Sequence, residues 1–371
     1  MNVCHEIYAD FSISRTGNSF AGGGTWFVIL CCNIIDRYPS MNLPTFEQII
    51  SVENLLLAWH EFLRGKKKRK DVEEFQLHLM DTILSLHQDL KHKTYVHGGY
   101  HAFNISDPKP RNIHKATVRD RLLHHAIYRV LYPYFDAKFI HDSYSCRKWK
   151  GTHRALDRFQ DFGRKVSKNN TKTVWILKCD VRKFFASIDQ KILLQVLRFH
   201  TLDEYTLWLL ERVIESFHST EVGKGLPLGN LTSQLLVNVY MNEFDQWVKH
   251  RLKAAHYIRY ADDFVVMRRN KKELEEMLVQ IRCFLTENLK LDLHPNKVSI
   301  TTLGSGVDFL GWVHFPHHRV LRTATKKRML KNLENNPKSE VIQSYLGMLS
   351  HGNAKNMERN IRVIHNLVSH T

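Results

Sequence analysis

The sequence predicts an α+β fold in which short strands alternate with longer helices. Val174–Cys179 is an apolar run that ends on Asp180, as a buried strand would. Tyr257–Tyr260 and Phe264–Met267 are two short apolar runs about Ala261-Asp262-Asp263, the pattern of a hairpin. Helical periodicity surrounds them: Ile192–Phe217, Leu231–Leu252 after a Gly/Pro loop, and Glu273–Leu289 with Leu274, Met277, Ile281 and Leu285 on one face. Strands and helices interleaved in this way make one α+β body.

The elements are predicted in order as follows. Residues 1–40, with Gly22-Gly23-Gly24, hold no sustained period and read as an extension. Their apolar run, Trp26–Cys32 followed by Asn33-Ile34-Ile35, is too short to span a bilayer and lacks the basic flank of a signal segment, so no membrane role is expected. Ser51 caps an amphipathic helix through Leu55, Leu56, Trp59 and Leu63 that Gly65 closes. Lys66-Lys67-Lys68-Arg69-Lys70 is a solvated loop, and Phe75, Leu79, Ile83, Leu86 and Leu90 mark a second helix. Two strands follow about Asp107-Pro108-Lys109-Pro110, with Lys109 and Arg111 near the tip. A helix through Arg119–Leu131 is expected to stop at Pro133. From His317 the chain is expected to be basic and helical.

The chain has 54 Lys and Arg against 37 Asp and Glu, a formal charge of +17. Such a charge favours polyanionic partners, among which nucleic acid is the commonest. Six cysteines form no CxxC pair, which fits reduced thiols and a cytoplasmic location. The neighbouring pairs His124-His125 and His317-His318 sit in no metal-binding frame and are read as surface or nucleic-acid-facing residues.

Chemistry concentrates on three carboxylates. Asp180 at the mouth of a buried strand and Asp262-Asp263 in an apolar hairpin are expensive to desolvate unless a cation offsets the cost. Asp is also a preferred turn residue, so the pair alone admits a purely structural reading. Carboxylates on adjacent strands could hold two Mg²⁺ ions about 4 Å apart, one activating a 3′-hydroxyl and one stabilising pyrophosphate.

Tyr260-Ala261-Asp262-Asp263 between hydrophobic strands resembles the catalytic box of reverse transcriptases. Further blocks resemble that family in the same order. Asp180-Val181-Arg182-Lys183-Phe184-Phe185-Ala186-Ser187-Ile188-Asp189 resembles its first palm motif, and Gly225-Leu226-Pro227-Leu228-Gly229-Asn230-Leu231-Thr232-Ser233-Gln234 its substrate-binding loop and helix. Lys297 resembles the lysine of the next motif, Phe309-Leu310-Gly311-Trp312 the primer grip, and Pro108-Lys109-Pro110-Arg111 with Arg119-Asp120-Arg121 the fingers. The resemblance implies a right-hand polymerase fold, with interleaved fingers and palm over 41–315 and a short helical thumb over 316–371. It implies Asp180, Asp262 and Asp263 as catalytic, and a two-metal site at Asp180, Val181, Asp262 and Asp263 for Mg²⁺ or Mn²⁺. Lys109, Arg111, Phe185, Leu228, Gly229 and Lys297 would bind the nucleotide. An aromatic at Phe185 would clash with a 2′-hydroxyl and select dNTPs. Arg111 suits a forked triphosphate contact, and Lys297 could assist departing pyrophosphate.

Leu228 departs from the Gln that many reverse transcriptases carry before this Gly. The segment Leu228-Gly229-Asn230-Leu231-Thr232-Ser233-Gln234, Gly151-Thr152-His153 after Tyr144-Ser145-Cys146-Arg147, and the tail Ser344-Tyr345-Leu346-Gly347 to His351-Gly352-Asn353 resemble reverse transcriptases of diversity-generating retroelements. An apolar side chain cannot make the hydrogen bond of a Gln, so discrimination would relax, in that lineage opposite template adenines. That resemblance implies a template RNA, an RNA/DNA duplex, dNTPs and an accessory protein as partners. Alternatives are a stand-alone or antiphage-defence reverse transcriptase, an RNA-templated RNA polymerase, and an inactive RNA-binding protein. Neither a second acidic cluster suited to ribonuclease H nor a zinc-finger motif is present in the sequence.

Overall fold

A computed structural model describes residues 43–106, 110–200, 202–335 and 338–369. The expected extension 1–40 and Lys109 lie outside the described residues. The chain forms two compact units. One comprises residues up to His141 with Val181–Leu252 and Gln280–Asp292; the other comprises Asp142–Asp180, Lys253–Val279 and Leu293 onward.

The first unit opens with α1 (Phe46–Ile50) and α2 (Val52–Phe62), followed by α3 (Lys70–Leu77) and α4 (Leu79–Lys91). The Ser51 hydroxyl accepts the Asn54 amide and caps α2 as expected, and Gly65 past its end takes φ +66°. The single helix expected over Phe75–Leu90 is instead two, broken at His78, whose φ of −118° and ψ of 31° leave helical space. A hairpin of β1 (Tyr100–Ile105) and β2 (Arg111–Ala116) leads into α5 (Val118–Lys138).

Helix α5 runs through Pro133 rather than stopping there. Proline removes one backbone donor, yet Leu131, Tyr132, Tyr134 and Phe135 around it are all buried, and the Tyr134 hydroxyl donates to the His200 carbonyl at 2.7 Å. Packing on both flanks outweighs a lost hydrogen bond and the clash of the ring. His124 corrects a second expectation. It is buried, not surface-facing, because α5 is enclosed on several sides; its Nε2 lies 3.2 Å from His97 Nε2, and burial holds its pKa well below the usual value. His317 and His318 are exposed as expected. The unit continues with α7 (Phe184–Ser187), α8 (Gln190–Phe199), α9 (Glu204–Glu215) and α10 (Leu231–His250). Between α5 and α7 the chain passes through α6 (Thr152–Val166) and β3 (Trp175–Asp180) of the other unit.

The second unit is built on a four-stranded antiparallel sheet ordered β4-β5-β3-β6, with β4 (Tyr257–Tyr260), β5 (Asp263–Arg268) and β6 (Ser299–Thr302). Ile176, Ile258, Val265 and Met267 from this sheet pack with Ala155, Phe159 and Phe162 of α6 and with Phe309. Helix α11 (Lys271–Leu289) follows β5. A meander of β7 (Val307–Phe309), β8 (Trp312–His314) and β9 (Arg319–Leu321) follows β6. β9 was not expected: Arg319-Val320-Leu321 offers one apolar pair, too short for a periodic signal, and pairing with β8 makes it a strand. The expected basic helices begin only afterwards, as α12 (Thr323–Asn335), α13 (Ser339–Leu349) and α14 (Lys355–Ser369). Met329, Leu333, Ile342, Leu349, Ala354 and Ile361 form their own core. No helix among the described residues is long and apolar enough to cross a membrane.

Candidate active site

Strand register sets the site. β3 and β5 pair so that Asp180 lies directly opposite Asp263, which puts both side chains on one face with Cβ atoms about 5 Å apart. Tyr260 pairs with Asp263 across the β4–β5 hairpin, so Ala261 and Asp262 are its two-residue turn. Ala261 takes φ +54°, a conformation glycine adopts more readily, and this puts Asp262 beside the facing pair. Burial first, then the charges of Asp263 and Asp180, push the Asp262 carboxyl up to about 6, with the Lys297 ammonium opposing.

Lys297 is brought to the same place. The His294 amide donates to the carbonyl of Asp180 at 2.7 Å, the Lys297 amide donates to His294 at 3.1 Å, and the Lys297 Nζ reaches Asp180 Oδ1 at 2.8 Å. Its ammonium supplies positive charge that the carboxylates lack. Among the described residues no three His, Cys, Asp or Glu side chains form a ready-made metal cage. Mg²⁺ commonly takes only one or two carboxylates and completes its shell with water and phosphate oxygens. A desolvated, mutually repelling carboxylate set with one cation at its edge fits that mode of binding. Val181 is apolar and buried, so only its carbonyl oxygen could take part.

Arg259 is the residue that sequence reasoning missed. It is fully buried in β4; its Nη1 donates to the Ala261 carbonyl at 3.1 Å and its Nη2 to the Ser143 hydroxyl at 3.1 Å. The guanidinium therefore grips the turn from beneath. A charged residue inside the strand Tyr-Ile-Arg-Tyr was the available signal, since buried charge is retained only where it is bonded. Arg259→Ala is expected to lower stability by about 3–5 kcal/mol, a melting shift near 10 °C. Thermal melting of both proteins checks this, and a variant within one degree of wild type would remove Arg259 from the account of the turn.

Residues 105–314, more than half of the 371-residue chain, match the reverse transcriptase (RNA-dependent DNA polymerase) family. The chain belongs to that family. Among relatives of this reverse transcriptase domain, Protein YkfC of Escherichia coli is 26% identical over 60% of this chain and 66% of its own length. The group II intron-encoded protein LtrA of Lactococcus lactis is 22% identical, over 67% of this chain and 51% of its own. The chain thus spans about half to two-thirds of these relatives. Apo telomerase from Candida tropicalis shares the fold at 11% identity and a TM-score of 0.50, covering 72% of this chain and 57% of that one. The likeness agrees with the right-hand polymerase class.

The other residues expected in a reverse transcriptase site fall as follows. Phe184 is buried and Phe185 half-buried, their rings edge to face at 5.6 Å, so the first is core and the second retains accessible surface. The Phe185 carbonyl accepts the Leu226 amide at 2.8 Å, which ties α7 to the Gly225–Asn230 loop. Leu228 is half-buried, and its carbonyl accepts the His114 amide of β2 at 3.0 Å. Gly229 takes φ +111°, and a Cβ there would meet Ile113 at 2.8 Å, so close backbone approach is to the hairpin. Asn230 completes the join by donating to the His114 carbonyl at 3.0 Å. Arg111 is exposed at the start of β2. Arg119 and Arg121 hold helices instead, paired with Asp89 at 2.5 Å and Asp71 at 2.6 Å. Phe309 and Trp312 are buried, leaving Leu310 (φ 51°) and Gly311 (φ 86°) as the tip of the β7–β8 hairpin.

Proposed function

We propose that this chain is an RNA-directed DNA polymerase that extends a primer with dNTPs on an RNA template. The observation that carries the reading is the register pairing Asp180 with Asp263, with Asp262 in the adjoining turn. Asp180, Asp262 and Asp263 are the residues that would hold divalent cations. Two bound Mg²⁺ ions would supply Lewis acidity toward the primer hydroxyl and the triphosphate. Lys297, at 2.8 Å from Asp180, limits repulsion within the carboxylate set and would donate a proton to departing pyrophosphate. Phe185 would exclude a 2′-hydroxyl, and Lys109 and Arg111 would neutralise the triphosphate. Leu310 and Gly311 would meet the primer strand with backbone from the hairpin tip.

The finer reading is an error-prone enzyme of the diversity-generating type, working on a structured template RNA with an accessory protein. Its support is Leu228, whose side chain offers no hydrogen bond beside the nascent pair. The charge of +17 fits an RNA-bound particle. An antiphage-defence reverse transcriptase remains the second reading, on the residues 1–40 that precede the shared body.

Primer extension on a defined RNA tests both levels. With Mg²⁺, dNTPs are expected to extend the primer and NTPs to do so about 100-fold less well. Sequenced products are expected to carry misincorporations concentrated opposite adenine, reduced about tenfold in Leu228→Gln. No extension with dNTPs would defeat the polymerase reading. Equal error opposite all four bases would defeat only the lineage.

A further inference from the structure

A short loop, Tyr144–Gly151, precedes α6 and is bonded at its base to β4 of the sheet unit, with an unusual side chain at its crest. Trp149 is 84% exposed and takes φ +61°, in the left-handed region that a bulky residue rarely adopts. A single exposed apolar side chain is ordinary. A tryptophan held out by a strained backbone is not, because the strain persists only where surrounding bonds over-determine it.

Those bonds are present. The Gly151 amide closes the loop on the Tyr144 carbonyl at 3.0 Å, and the Lys150 amide donates to Arg147 at 3.3 Å. Arg147 Nη1 donates to the Ser143 carbonyl at 3.0 Å, and Cys146 takes φ +54° to allow the bend. The base of the loop is joined to the strand carrying the catalytic turn. The Tyr144 amide donates to the Arg259 carbonyl at 3.0 Å, the Arg259 amide to Asp142 at 2.9 Å, and Thr152 Oγ1 to the Tyr260 hydroxyl at 3.1 Å. Lys148, exposed, and Lys150, half-exposed, flank the ring in sequence, after Arg147. An exposed aromatic among cations is the composition of a surface that stacks a base and neutralises its phosphates.

We propose that Trp149, with Lys148 and Lys150, is a stacking platform for an unpaired base of the nucleic acid strand held beside the catalytic turn. This rests on the polymerase reading for the identity of that strand. Stacking tolerates any base, so the platform would grip a strand without reading its sequence. The cations would add a salt-dependent share of the affinity.

Equilibrium binding of fluorescent single-stranded RNA and single-stranded DNA oligomers to the full chain, in EDTA, tests the proposal apart from any polymerisation. Trp149→Gly is expected to weaken binding of RNA, or of both strands, about tenfold while the melting temperature stays level or rises by a few degrees. Glycine relieves the left-handed strain, so a merely structural tryptophan would give the stability gain without the loss of affinity. Trp149→Phe is expected to retain most of the binding, and Lys148→Ala/Lys150→Ala to flatten its salt dependence. Trp149→Gly protein that binds both oligomers as tightly as wild type overturns the platform. A wild-type chain that binds RNA through Trp149 yet fails to extend a primer would leave the platform standing and remove the polymerase reading.

Discussion

Asp262→Asn is expected to abolish primer extension, by about three orders of magnitude or more, while making the chain more resistant to heat. The two effects share one cause. Asp262 is half-buried beside Asp263 and Asp180, and desolvation first of all pushes its carboxyl up to about 6. A raised folded-state value means that the folded chain holds this proton more tightly than the unfolded one. Stability from it is therefore fully present below pH 4 and lost as pH rises through 6, a loss of roughly 3 kcal/mol at neutral pH. Asparagine removes that loss, so the difference in melting temperature between variant and wild type should widen from pH 4 to pH 7. On the proposed function it also removes an oxygen that would bind a metal ion, worth ~4 kcal/mol of transition-state stabilisation. Added Mg²⁺ should raise the wild-type melting temperature and leave the variant's almost unchanged. An Asn variant that polymerises at a tenth of the wild-type rate, or that melts below wild type at pH 7, would contradict this account of the site.

Gly352→Ala is the change expected to damage the fold most for its size. A Cβ at Gly352 would lie 1.9 Å from Trp312 Cζ3, 2.5 Å from Cη2 and 2.8 Å from Cε3. Trp312 is buried, and its neighbour Phe309 stacks on Phe159, so the indole has little room to yield. The loop is fixed as firmly: the Asn353 amide donates to the Arg319 carbonyl at 2.9 Å, and Arg319 Nε bonds the His351 carbonyl. One methyl group must therefore pull the α13–α14 connection off the β7–β9 meander. The expected cost is about 3 kcal/mol, seen as a fall in melting temperature of about 6–12 °C and as new protease cleavage near His351. Gly352→Ala with unchanged melting and unchanged proteolysis would show that the loop is not seated on Trp312.

The carboxylates were legible in the sequence because their neighbours are. Apolar runs that stop on Asp180 and resume after Asp263 read as short strands with acidic ends, and the antiparallel pairing of β3 with β5 makes those ends face. The same reasoning could not deliver Arg259, whose partners Ser143 and Ala261 are brought to it by tertiary structure. Pro133 misled for the opposite reason: a local rule was sound, but packing of Tyr134 and Phe135 outweighed it. His124, in no metal-binding frame, reads from sequence as a surface or nucleic-acid-facing residue, and only the enclosure of α5 shows otherwise. β9 has too few residues to carry a period. Local chemistry marks where the strands end; burial decides which polar residues they conceal.

If Leu228 sets copying accuracy as proposed, the bonds between β2 and its loop bear on how that accuracy is inherited. The His114 amide, the Asn230 side chain and the Ile113–Gly229 contact join hairpin and loop into one lever arm. A displacement of β2 is delivered to the backbone of residue 228 without any change in its side chain. On the proposed role of Leu228 beside the nascent pair, copying errors would then be tunable by drift at positions such as Ile113. On that reading a lineage could become more or less mutagenic while Asp180, Asp262 and Asp263 all stay the same.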